Sequence, residues 1–245
     1  MALHFSPRII GGGLVFLIDP ADRNCYNGTN SLVDIIGGKV MTLGSNTISG
    51  NTYGNGLIHF SSSSGEEGTG GLDTGYRYGS STDKVINSGD SWTIGIWIYR
   101  SGANYPNNWW HLITDGNSGD ILTLNESGYF LTSMNNAGLG GAFTTGGDID
   151  YGFTYANTNY GWNFYVLIYD LPQQRLKLVL NNVHGSWQTG RVIDSSYRIR
   201  NFVGWGSAQS SYHADPSHSI CFGYQRVLSN SEITYLYNIQ RTRFI

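Results

Sequence analysis

The sequence predicts an all-β fold: a two-sheet antiparallel sandwich of the jelly-roll kind with one short C-terminal helix. Three observations carry this. The chain has 34 glycines in 245 residues, about twice the usual share, spread between short apolar runs rather than at the strict period of three that collagen needs. Aromatics reach 14%, with 17 tyrosines and 7 tryptophans, a content that rules out disorder and suits pleated surfaces. A single stretch, "RVLSNSEITYLYNIQRTRF" (226–244), reads as a helix.

The candidate elements follow in order. "GLVFLID" (13–19) opens the fold, a weak strand lies near 39–43, and "GLIHF" (56–60) comes after small polar residues. "SWTIGIWIYR" (91–100) is the clearest strand. It sets Trp92, Ile94, Ile96 and Ile98 on one face and Thr93, Trp97 and Tyr99 on the other, so either both faces are covered or one is left open for binding. "HLITDG" (111–116), the strand from residue 120 and "YFLTSM" (129–134) come next. "NFYVLIYD" (163–170) and "RLKLVLNN" (175–182) pair as a hairpin through Leu171, Pro172, Gln173 and Gln174. In its second arm Leu176, Leu178 and Leu180 point inward, and Arg175 and Lys177 are expected to face water. Asn181 and Asn182 supply a turn, because Asn tolerates the left-handed conformation. "RNFVGWG" (200–206) and "HSICFGYQRV" (218–227) complete about eleven strands. One domain is expected over residues 1–245, with 1–12 as an N-terminal arm.

The helix has its own logic. Ser229 caps it, and Glu232 three residues on closes a capping box. Ile233, Leu236 and Tyr237 then form one apolar face. The helix is expected to cover an open end of the sandwich, and "IQRTRF" is expected to form a last strand or to contact a neighbour.

Composition excludes several classes. Charged residues are 13% and the formal net charge is −3, so the basic stripe of a nucleic-acid binder is missing and no polybasic membrane patch exists. "GLVFLID" is too short to span a membrane, and no signal peptide is visible. Two cysteines, Cys25 and Cys221, make no disulfide framework; reduced thiols are expected, with a bridge between the terminal strands as the alternative.

Four landmarks occur in order: "GLVFLIDPADRNCYNG", "SWTIGIWIYR", "YGWNFYVLIYD…RLKLVLNN" and "CFGYQRVLSNSEITYLYN". This resembles the laminin-G-like, concanavalin A-like jelly-roll family over roughly residues 13–240. Arg226, Leu228, Ser229, Glu232, Ile233 and Tyr237 fit the family's "NRALSxxEIxxLY" ending. The chain departs where "LYVNG" reads "LVLNN", and where the strand before the helix has lost its acidic residue. The form resembles virion proteins of tailed phages. The resemblance implies a non-enzymatic particle component, a capsid decoration or a fibre or adhesion module. Other virion proteins, host-surface glycans and further copies of the chain would be its partners. A carbohydrate-binding lectin domain is the alternative, and a glycoside hydrolase a distant one.

Chemistry is sparse. Glycosidases need two carboxylates flanking the sugar bond. The only glutamates are Glu66, Glu67, Glu126 and Glu232. Glu232 belongs to the helix cap, Glu66 and Glu67 are adjacent in a Ser/Gly-rich loop, and Glu126 stands alone. Asp148 and Asp150 share a face without a third carboxylate. No G-x-S-x-G elbow exists, and His213, Asp215 and His218 read as an ordinary loop rather than a metal site. In "DPADRN", Asp19, Asp22 and Asn24 are candidate calcium ligands, because relatives of this fold sometimes hold structural calcium in loops, although the spacing is not that of an EF-hand. Sugar sites pair an exposed aromatic with Asn, Asp or backbone groups that read hydroxyls. "NYPNNWWHL" has that mixture, so Tyr105, Asn107, Asn108, Trp109 and Trp110 are the binding candidates. Packing is the competing role for these aromatics, and the stronger one for Trp92, Trp97 and Trp162.

Overall fold

The computed structural model describes residues 9–26, 31–43, 58–59, 76–78, 86–87, 89–100, 110–114, 120–124, 129–132, 149–154, 158, 161–193, 198–199, 201–202 and 217–244. Within them the first strands are β1 (Leu14–Ile18), β2 (Ser31–Val33), β3 (Val40–Leu43), β4 (Ile58–His59), β5 (Tyr76–Tyr78) and β6 (Ile86–Asn87). The middle of the chain forms β7 (Trp92–Arg100), β8 (Trp110–Thr114), β9 (Asp120–Leu124), β10 (Tyr129–Thr132), β11 (Ile149–Thr154) and β12 (Gly161–Asp170). Then come β13 (Arg175–Leu180), β14 (Val183–His184), β15 (Gln188–Thr189), β16 (Arg198–Ile199), β17 (Asn201–Phe202), β18 (Ser217–Tyr224) and the helix α1 (Asn230–Arg241).

The strands make two open antiparallel sheets. The first runs β1-β18-β7-β12-β13-β14, with β15 on β13 and β4 on β18; the second runs β11-β10-β9-β8-β17-β5-β3-β2. β6 and β16 form a small separate pair. This is the predicted all-β sandwich with a C-terminal helix. The count exceeds the eleven expected strands because pairs such as β14 and β16 are two residues long, too short to show a period of two.

Alternation along β7 and β12 builds two cores. Trp92, Ile94, Ile96 and Ile98 join Tyr165, Leu167, Tyr169, Leu176, Leu178 and Leu180 between the sheets, with Leu32, Ile113, Leu122, Tyr151 and Phe153 from the second sheet. On the outer face of the first sheet, Trp97, Phe164, Val166, Ile168, Val179, Phe222 and Tyr224 form a second cluster. The helix supplies its cover through Ile233 and Leu236. The expected end cap is therefore corrected: α1 lies over a sheet face. Strands with large apolar residues on both sides need cover on both sides, and burying each such side chain contributes about 1.5–3 kcal/mol.

Close approach on that face depends on Gly95. A Cβ there would sit 2.1 Å from the Phe222 ring. The hairpin between β12 and β13 forms as expected, pairing Asp170 with Arg175 across a four-residue turn. Gln174, Asn181 and Asn182 take positive φ of 46°, 50° and 67°, so the paired asparagines do the turn's work.

Two expectations in this region fail. Lys177 is only 4% exposed: its ammonium donates to Asn230 Oδ1 at 2.9 Å and lies 4.7 Å from the Trp187 ring centroid. Arg175 covers the same ring at 4.2 Å. Tertiary cover from Trp187 and the start of α1 replaces water, and burial lowers the pKa of Lys177, aided by the nearby charge of Arg175. The tail is not a strand either. Ile239, Gln240 and Arg241 continue α1, and Phe244 folds back onto the chain's own Trp97 and Trp162.

Candidate functional site

β7 and β12 pair without a register break from Trp92–Tyr169 to Arg100–Gly161. Their far end presents an aromatic group on the outer face. Tyr99 and Trp162 are cross-strand partners, with ring centroids 5.5 Å apart and planes at 70°. Phe244 packs 4.5 Å from Trp162 and 4.6 Å from Trp97, and Tyr237 stacks parallel to Trp97 at 5.8 Å. Exposure grades outward: Trp97 is 1% exposed and Tyr99 38%.

Polar contacts fix this arrangement. Trp97 Nε1 donates to Gln240 Oε1 at 2.7 Å, which ties the middle of β7 to α1 and satisfies the side-chain carbonyl of a fully buried glutamine. Arg243 donates two hydrogen bonds to Asp19, at 2.7 and 3.0 Å. That ion pair is nearly buried, with side-chain exposures of 15% and 6%, and pins the last turn beside β1. Such a pair is geometrically specific because the guanidinium fork matches both carboxylate oxygens.

The predicted sugar candidates follow β7 in sequence. Residues 101–109 connect β7 in the first sheet to β8 in the second. Tyr105, Asn107, Asn108 and Trp109 lie outside the described residues. Trp110 opens β8, where its backbone faces Leu124. Arg100 and Trp110, on either side of the segment, are strand residues of β7 and β8. Sequence reasoning assigns Trp162 to packing and leaves open whether the face that carries Tyr99 is covered or bare. The signal that could have marked Tyr99 is its place at a strand end, one residue before that aromatic segment.

The calcium candidates have other partners. Both Asp19 oxygens are engaged by Arg243, and Asp19 Oδ1 also accepts from Ala21 N at 3.1 Å. Asp22 Oδ1 accepts from Asn24 N at 2.8 Å. A carboxylate already neutralised by a guanidinium does not fit a calcium shell of six to eight oxygens, so this loop does not fit the ion. Among the described residues no three His, Cys, Asp or Glu side chains cluster as metal ligands, and no helix is long and apolar enough to cross a membrane.

Glu232 sits where the cap predicts. The Ser229 amide donates to Glu232 Oε2 at 2.8 Å and Glu232 N donates to Ser229 Oγ at 3.3 Å. Arg226 adds a fork to the same carboxylate at 2.6 and 3.1 Å and donates from Nε to Gly12 O. The Arg226 bond first, with the Ser229 bonds behind it, outweighs desolvation and pulls the Glu232 pKa down to about 2. Such a carboxylate is a structural anion, not a general acid. Glu66, Glu67, Glu126, Asp148, His213 and Asp215 lie outside the described residues. Asp150 is in β11, its backbone opposite Leu131. Cys25 and Cys221 are buried, reduced thiols, and burial pushes Cys25 up to about 12.

No family model and no curated protein matches the chain. Solved structures do. A Trypanosoma rangeli sialidase in complex with sialic acid aligns with a TM-score of 0.60 at 12% identity, over 96% of this chain and 34% of that one. The binding domain of botulinum neurotoxin DC in complex with SialylT aligns at 0.61 and 14% identity, over 93% of this chain and 52% of that one. The serotype G neurotoxin binding domain aligns at 0.61 and 16% identity, over 94% and 51%. The chain spans between a third and about half of these neighbours' length, and at such identity the likeness shows the sandwich fold alone.

Proposed function

We propose that this protein is a non-enzymatic recognition module that binds glycans at one end of its sandwich. The observation that carries the reading is the aromatic pair Tyr99–Trp162 at the end of the β7–β12 ladder, with Tyr99 open on the outer face. In sequence, the segment with the sugar-site composition follows that end of β7 directly. The fold neighbours solved with sialic acid and with SialylT add support by analogy. A binding role also suits Glu232, which is committed to the helix cap and to Arg226.

The module would act as part of a phage particle, as a capsid decoration or a fibre or adhesion element, together with other virion proteins and further copies of itself. This placement rests on the resemblance of the opening and ending of the sequence to tailed-phage virion proteins. A lectin domain acting alone is the second reading, favoured by the same rim. One set of measurements separates them. The purified protein is expected to bind discrete glycans on an array equally in calcium and in EDTA, and purified particles are expected to carry it at fixed stoichiometry. A blank array in both conditions overturns glycan recognition. Absence from every particle overturns the virion role and leaves the lectin.

A further inference from the structure

Tyr99 keeps an uncommon amount of aromatic surface open for a residue on a central strand, 38%. That is on the order of 100 Å² or less of the 150–250 Å² such a side chain carries. An open aromatic face of this kind can stack on the apolar face of a sugar ring.

Three further features keep the surface open and stiff. The residue opposite the end of β7 is Gly161, at φ +93°, and a Cβ there would come within 3.9 Å of the Tyr99 ring. The missing side chain leaves that edge of the ring uncovered. Trp162, the cross-strand partner, is partly buried and held by Phe244 at 4.5 Å. Phe244 in turn follows Arg243, which is locked to Asp19. An aromatic pair held this firmly loses little freedom on binding, and that is where preorganised sites gain affinity.

We propose that the Tyr99 ring is the stacking platform for one pyranose ring, bound through its apolar C–H face, with Trp162 set edge-to-face beside it as the support that holds it in place. The proposal rests on the glycan-recognition reading and names its subsite. The face of the Tyr99 ring carries the negative end of its quadrupole, which attracts the polarised C–H bonds on one side of a pyranose. The hydroxyls on the ring's edge remain directed outward, and the sheet would supply the affinity.

The test is calorimetric titration of the full chain with the strongest oligosaccharide from the array. Tyr99→Ala is expected to weaken binding about tenfold or more, as loss of an aromatic anchor does. Tyr99→Leu, which keeps apolar bulk for packing but removes the π face, should lose as much, so a folding defect in the alanine variant does not decide the matter. Tyr99→Phe should stay within about threefold, since the stacking face survives. Tyr235→Ala, an equally exposed tyrosine on α1 at 43%, should bind as the wild type does. A wild type that binds sugar while Tyr99→Ala and Tyr99→Leu bind it equally well overturns the subsite and leaves glycan recognition standing. A wild type that binds no sugar overturns both.

Discussion

At the scale of single residues, partners decide roles. Glu232 belongs to the cap by sequence, since Ser229 stands three residues before it, and the structure adds Arg226 as a second partner. Its pKa falls from 4.5 to about 2. A depressed carboxylate stabilises the fold fully above its unfolded pKa and loses that contribution as pH falls through its folded one. Its share should therefore fade between about pH 5 and pH 2. Both side chains of the pair are about a third exposed, so screening holds the share to about 1 kcal/mol. Glu232→Gln should melt about 2–4 °C below the wild type at pH 7, and the gap should close by pH 2. A gap that persists at pH 2 would show that the loss is not electrostatic. Lys177 teaches the opposite lesson. Alternation placed it outward, and outward it is, but the outer surface there is covered by Trp187 and Asn230. No local pattern marks Asn230, 53 residues further along the chain, as its cover.

At the scale of elements, α1 was legible because its signals are local: a cap, a box and an i, i+3, i+4 stripe. The hairpin of β12 and β13 was legible for the same reason, with a turn and two alternating arms in 20 consecutive residues. The docking of α1 was not. "SWTIGIWIYR" left open whether its second face is covered or bare, and the structure divides that face, with Trp97 sealed under α1 and Tyr99 open. Gln240 shows why docking is hard to foresee. A polar residue on the apolar side of a helix looks misplaced until Trp97 Nε1 is found 2.7 Å away. Gln240→Ala leaves that buried indole N–H without an acceptor, at a cost of about 1–3 kcal/mol. Thermal melts should drop by several degrees while β-sheet circular dichroism is retained. An unchanged melting temperature would show that the bond does not hold α1 to the sheet.

At the scale of the whole molecule, two cores share one sheet, and both ends of the chain are fastened on its outer side. Arg243 binds Asp19, Arg226 binds Gly12 O, and the Tyr224 hydroxyl donates to Ile10 O at 3.0 Å. At the Tyr99 end the β7–β12 ladder stops, with Phe244 packed on Trp162. The central claim is that this end binds sugar on an aromatic floor. The most direct measurement is a ¹⁵N-indole NMR titration, following the N–H signals of the 7 tryptophans as an array-positive sugar is added. The account predicts that the Trp162 signal moves with saturable dependence on sugar, while Trp92 and Trp97, buried at 0% and 1% exposure, stay in place. Saturable binding with a motionless Trp162 signal would contradict it.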